Sequence, residues 1–192
     1  MDSSRNAFAT HGFGRFAAWV DLVNSEEWDG FGRFTDRLGE GAWLASFLGR
    51  WNFHPAAGEK TPIARLRRLR KLGRRAAERL NRGASPSAAD LGELNRWMSV
   101  PVRQRIVHDQ HGFRNELLPV RADWNWILAR IAASLADTLA SRQRDRCKTC
   151  ANEDCRWVFY DTTKARTRRW CSDKVCGNRE RVRRARARSS RN

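Results

Sequence analysis

The sequence predicts a mainly α-helical N-terminal domain with one small β-hairpin, an α+β arrangement. A small treble-clef-like four-cysteine module ending in a basic helix follows it. Three observations carry this expectation. Apolar residues recur at helical spacing through most of the first 140 positions, interrupted by one alternating stretch around 100–121. All five cysteines fall between Cys147 and Cys176. The segment from Arg142 to Asn192 holds 17 basic and 6 acidic residues, a net charge of +11 over 51 positions.

The elements follow in order. The first fifteen residues mix Ser, Gly and His and predict no regular structure, whereas Phe16 to Asn24 reads as a helix. A second helix is expected from Glu40 to Trp51, with Trp43, Leu44, Phe47, Leu48 and Trp51 on one face. Pro55 and Gly58 mark a loop. Pro62 then suits the first turn of a long helix, Ile63 to Leu80, closed by Asn81-Arg82-Gly83. Leu66, Leu69, Leu72, Ala76 and Leu80 form its apolar stripe, and the arginines between them predict a solvated basic face. After Ser85-Pro86 a helix over Ser87 to Met98 turns Leu91, Leu94 and Trp97 inward. Val100 to Asp109 and Phe113 to Arg121 predict two strands joined at Gln110-His111-Gly112. Asp123 is placed to cap a long helix from Trp124 to about Arg144, packed by Trp124, Ile127, Leu128, Ile131, Leu135 and Leu139. The domain boundary is expected near residue 145, giving a domain over 1–145 and a module over 146–192.

Composition narrows the partners. The chain of 192 residues has 38 Lys and Arg against 21 Asp and Glu, a formal charge of +17. Clustered basic side chains gain free energy by displacing counterions from phosphates, so a nucleic acid is the expected partner. Only five of the basic residues are Lys, a bias that a GC-rich genome also produces. No run of 18 apolar residues predicts a membrane span, and residues 1–16 show no secretory h-region. Cysteines gathered in one short segment suit a metal site in a reducing compartment, so a cytoplasmic location is expected.

Cys150 and Cys155 are separated by four residues, as are Cys171 and Cys176, with fifteen between the pairs. Paired thiolates at this spacing predict one tetrahedral zinc ion held by Cys150, Cys155, Cys171 and Cys176. Four protein ligands leave no position for water, so the zinc is expected to be structural. Cys147 with Cys150 forms a C-x-x-C and stays open as a substitute for Cys150 or Cys155; the symmetric spacing favours the latter pair. Between the pairs, Arg156 to Asp161 alternates like a strand and Arg168-Arg169-Trp170 is expected to return as its partner. Trp157, Phe159 and Trp170 would complete a minimal core around the metal. Gly177 is expected to let backbone N–H groups approach a ligating sulfur. A helix should run from Asn178 to about Arg188.

Cys150-Ala-Asn-Glu-Asp-Cys-Arg-Trp-Val-Phe-Tyr-Asp161, followed by Arg169-Trp-Cys-Ser-x-x-x-Cys-Gly-Asn-Arg179, resembles the CGNR zinc finger. Members of that family join the finger to an N-terminal domain named for stress-induced transcription regulation. Asp21-Leu-Val-Asn24 and Trp28-Asp-Gly30 resemble the opening of that domain. The resemblance implies a bacterial transcription regulator, the same four cysteine ligands, and a supernumerary Cys147.

Candidate nucleic-acid contacts are Lys164, Arg166, Arg168 and Arg169 beside the finger, suited to phosphate, and Arg179, Arg181, Arg183, Arg184, Arg186 and Arg188 on the last helix. DNA is favoured over RNA. The alternative is an RNA-binding protein stacking bases on Trp157, Tyr160 and Trp170. A small-molecule ligand or a second copy of the chain remains open as partner of the N-terminal domain. No phosphate loop, H-E-x-x-H or G-x-S-x-G is present, and His11, His54, His108 and His111 are scattered, so no enzyme is expected.

Overall fold

A computed structural model of the chain describes residues 18–110 and 112–189. The expected start of the first helix at Phe16, His11 and the turn residue His111 lie outside them.

Helix α1 (Ala18–Asn24) has seven residues, too few for independent stability, and persists because nearly every side chain is buried. The Trp19 indole donates to Thr138 Oγ1 at 2.8 Å, and Trp19 N donates to Ser134 Oγ at 3.1 Å. Two three-residue strands, β1 (Glu26–Trp28) and β2 (Phe34–Asp36), pair antiparallel and lead to α2 (Gly41–Arg50). Helix α3 (Ile63–Asn81) begins after Pro62 and buries Leu66, Leu69, Leu72 and Ala76 as its stripe predicts. It packs closely on α1 at Gly73, where a Cβ would stand 2.7 Å from Val23 Cγ2.

Helix α4 (Ala88–Met98) starts with a capping box between Ser87 and Asp90. Leu94 is buried, but Leu91, expected inward, is 43% exposed. Helix α5 (Trp124–Ala140) is capped by Asp123, which accepts from Asn125 N and Trp126 N. It stops at Ala140 rather than Arg144, because the apolar stripe ends at Leu139 and Ser141 turns to extended backbone.

The expected hairpin is present as β3 (Val102–Asp109) and β4 (Gly112–Pro119), in register from Val102↔Pro119 to Asp109↔Gly112. It stands away from the core, leaving Ile106 and Phe113 largely exposed.

The core runs without a break from α1, α3 and α5 to Cys147 and Val158, so the C-terminal module shares it. Two arginines expected on a solvated face of α3 are instead buried. Arg70 reaches Asp36 Oδ1 at 2.6 Å and Glu26 Oε1 at 3.3 Å. Arg74 donates to Val23 O at 3.1 Å and to Arg156 O at 2.5 Å, beside Glu26 at 3.5 Å. Burial lowers the Arg74 pKa, with Glu26 opposing, yet a guanidinium keeps its proton. The carbonyls and carboxylate therefore have to satisfy it. Replacing Arg74 with Ala orphans those buried acceptors, and urea denaturation should report a loss of about 3 kcal/mol; a change under about 0.5 kcal/mol would contradict the assignment.

Candidate metal centre and basic helix

Strand β5 (Cys147–Thr149) pairs antiparallel with β6 (Val158–Tyr160), from Cys147↔Tyr160 to Thr149↔Val158. The expected partner, Arg168–Trp170, does not pair there; Arg169 O instead accepts from Ala151 N at 2.8 Å. The reason lies in Cys147, whose side chain is buried in the core shared with the helical domain and draws its strand into that position. Cys150 N donates to Trp157 O at 2.8 Å and extends the ladder into the turn holding Cys150 and Cys155. Within it Cys155 N donates to Asn152 O at 2.9 Å, and Arg156 adopts φ +53°.

The second pair is built on a π turn, Asp173–Gly177, capped by Ser172 Oγ accepting from Val175 N. Cys176 N and Gly177 N both donate to Ser172 O, at 2.9 and 3.1 Å. Gly177 is thus needed for space rather than for an N–H to sulfur: a Cβ would meet Asp173 Oδ1 at 2.4 Å and Trp170 at 3.3 Å. The N–H that does reach a sulfur belongs to Cys171, 3.5 Å from Cys150 Sγ.

These two turns bring the sulfurs of Cys150, Cys155, Cys171 and Cys176 within 4.8 Å of one another. Cys155 and Cys171 lie 3.6 Å apart, and Cys171 and Cys176 3.7 Å. Tetrahedral zinc with bonds of about 2.3 Å requires sulfur separations of about 3.8 Å, close to the two shortest pairs here, so the cluster fits zinc. Thiols this crowded share protons: hydrogen bonding with Cys150 pushes Cys155 and Cys171 up and pulls Cys176 down. A divalent soft cation resolves that competition by replacing the protons. Cys147 stands apart in the hydrophobic core, its thiol pushed up to about 12 by burial.

The segment between the pairs is braced by Asp161, which is fully buried. It accepts from Lys148 Nζ at 2.7 Å, Thr163 N at 2.9 Å, Thr163 Oγ1 at 2.6 Å and Arg168 N at 2.9 Å. Burial pushes its pKa up, but these donors outweigh it and hold the carboxyl well below the usual range. Arg168 donates to Trp170 O at 2.9 Å and to Cys171 O, and lies over the Phe159 ring. Its guanidinium supports the second cysteine pair.

The module docks on the helical domain through backbone-reading side chains. The Asn24 carboxamide donates to Val158 O at 2.9 Å and accepts from Val158 N at 2.8 Å. Gly30 N donates to Asp154 O at 3.1 Å, and Thr149 N to Asn81 Oδ1 at 3.1 Å. Arg179 donates to Asp29 O at 2.7 Å and lies 4.0 Å over the Phe31 ring. Gly30, at φ +83°, leaves room for it; a Cβ there would sit 2.0 Å from Arg179 Nη1. Trp28-Asp29-Gly30 and Cys176-Gly-Asn-Arg179, separated by most of the chain, therefore meet. Nothing in either segment alone signalled that contact.

Helix α6 (Asn178–Ser189) carries Arg181, Arg183, Arg184, Arg186 and Arg188 and buries none of its residues. Glu180 pairs with Arg183 and Arg184, both at 2.9 Å. Arg181 pairs with Asp173 at 3.1 Å, and Arg166 with Asp145 at 2.7 Å. Lys164, Arg169, Arg186 and Arg188 are exposed with no acidic partner among the described residues; Arg169 lies over Trp170. Trp157 and Trp170 pack around the cysteine cluster, and the Tyr160 hydroxyl donates to Gln143 Oε1. His54 bonds Asn52, and the His108 ring lies tilted against Phe113, centroids 4.5 Å apart.

A helical domain with a docked four-cysteine module and a projecting basic helix defines a zinc-finger protein. Residues 17–142 match the family described as "Putative stress-induced transcription regulator", and residues 146–189 match the CGNR zinc finger. The chain belongs to the first of these families and ends in the second's finger, whose cofactor is one structural zinc. No curated protein matches the chain. No helix among the described residues is long and apolar enough to cross a membrane.

Metal analysis should find one zinc per chain in the wild type and in Cys147→Ser, but none retained by Cys155→Ser after gel filtration; zinc loss from Cys147→Ser would reverse the assignment of the ligands. Replacing Arg179 with Ala should leave zinc content at one while hydrogen exchange accelerates at residues 29–31. Unchanged protection there would mean that the guanidinium contact does not hold the module in place.

Proposed function

We propose that this protein is a cytoplasmic, non-enzymatic transcription regulator whose zinc-held helix α6 binds duplex DNA. The helical domain serves as its sensing or dimerising part. Cys150, Cys155, Cys171 and Cys176 hold the zinc, which fixes the start of α6 relative to the finger. The observation that carries this reading is the contrast between arginines. Several of those of α3 and the finger's frame, Arg70, Arg74 and Arg168 among them, are engaged with carbonyls and carboxylates, whereas α6 projects Arg186 and Arg188 into solvent without an acidic partner among the described residues. Twelve residues of helix span about 18 Å, and a lone helix fits a major groove about 12 Å wide.

Arg181, Arg183 and Arg184 are themselves exposed and can exchange their acidic partners for phosphate. Lys164, Arg166 and Arg169 flank the finger and suit phosphate contacts that set register. Arg168 and Arg179 leave that set, since both brace the protein itself. Packing of Trp157 and Trp170 around the cysteines disfavours a base-stacking surface for single-stranded RNA.

Selection from fragmented genomic DNA with an RNA pool in parallel tests the reading. Enrichment of discrete duplex sites supports it, and enrichment of RNA alone overturns it. On a selected site, Arg186→Ala with Arg188→Ala should weaken binding and reduce the slope of log K against log salt by about two units; an unchanged slope would place both side chains away from phosphate.

A further inference from the structure

A cleft of about 300 Å³ opens where the end of α4, the base of the β3–β4 hairpin and the start of α5 meet. The apolar half of its lining is Trp97, Val100 and Pro101 from one side and Pro119, Val120 and Trp126 from the other. Val120 N donates to Pro101 O at 3.1 Å and closes the hairpin's base beside it. Three arginines, Arg65, Arg96 and Arg121, also line the cleft and are exposed.

The charge there is not balanced. Asp123 is the one acidic residue of the lining, and its carboxylate is committed to capping α5. It accepts from Asn125 N at 2.9 Å, Trp126 N at 3.2 Å and Asn125 Nδ2 at 3.0 Å, with Arg121 3.8 Å away. Arg65 and Arg96 have no acidic partner among the described residues. Arg65 is held with its guanidinium carbon 5.5 Å from the centre of the Trp97 ring.

We infer that this cleft binds a small aromatic carboxylate. Two indoles and the proline and valine walls accept a flat apolar body, and the volume sits at the low end of ligand pockets, with room for a substituted ring. Arg65 and Arg96 supply planar forks that match a carboxylate bidentately. A bare inorganic anion would leave the indole walls uncovered, and a neutral ring would leave both guanidiniums uncompensated. This site gives chemical content to the sensing role proposed above and rests on that reading. Its position suits the role. Helix α3 carries Arg65 near its start, and Glu78 and Asn81, which touch the finger, near its end. Helix α5 starts at the cleft and leads through a short 3₁₀ turn into β5.

Calorimetry on the zinc-loaded full chain without DNA tests the inference, with benzoate as the probe, benzyl alcohol as its neutral counterpart and inorganic phosphate as the bare anion. Benzoate should bind saturably, and the other two at least about tenfold more weakly. Arg65→Gln and Arg96→Gln should each weaken benzoate about tenfold while zinc content and thermal midpoint stay unchanged, since both side chains are exposed. No saturable benzoate binding up to about 1 mM, equal binding of benzyl alcohol or phosphate, or unaltered affinity in both variants would overturn it. Because no nucleic acid is present, failure here leaves the DNA-binding proposal standing, and failure of DNA binding leaves this result intact.

Discussion

The Asn24 carboxamide exchanges two hydrogen bonds with the backbone of Val158, both within 2.9 Å, and so acts as a single residue of a third strand beside β6. Strand β5 satisfies one edge of β6; the other edge faces the helical domain, where water is excluded. Buried backbone groups left unpaired are costly, so the module's seat on α1 depends on this amide. The rest follows from that seat. Val158 and Cys147 can enter the shared core, Arg74 can reach Arg156 O, and the loop at Asp29 comes under Arg179. A segment of some forty residues with one metal has little apolar surface of its own, and the helical domain supplies what it lacks.

Sequence periodicity made α3 and α5 legible, because an apolar stripe sustained at 3.6-residue spacing over four or five turns matches one face of a buried helix and neither a strand nor a loop. The cap at Asp123 and the two cysteine pairs were equally visible, since each is a local device with its own chemistry. What stayed hidden is non-local. Strand β5 has three residues, too short for any alternation, so Arg168–Trp170 looked the better partner for β6. Arg70 and Arg74 read as solvent-facing because the acids that hold them sit on three-residue strands some forty positions earlier. The docking contacts aim at backbone carbonyls of Asp29, Asp154 and Val158, which every residue possesses and no pattern marks.

The charge excess of the chain divides unevenly in space. Many arginines serve as struts: Arg70 and Arg74 beneath β1 and β2, Arg168 behind the second cysteine pair, Arg179 across the domain junction. Arginine suits this role because it stays ionised when buried and offers several donors in one plane. A total count of basic residues therefore overstates the surface available to a polyanion.

The π turn at Asp173–Gly177 lies immediately before α6. Such a turn is an α-helical turn with one residue added, and in a helix of 3.6 residues per turn one residue corresponds to about 100° of rotation. Every side chain downstream is consequently clocked by that angle relative to an uninterrupted helix. The azimuth of Arg186 and Arg188, and with it the compass direction in which α6 faces outward, is set by a backbone insertion at the metal site rather than by the sequence of the helix itself.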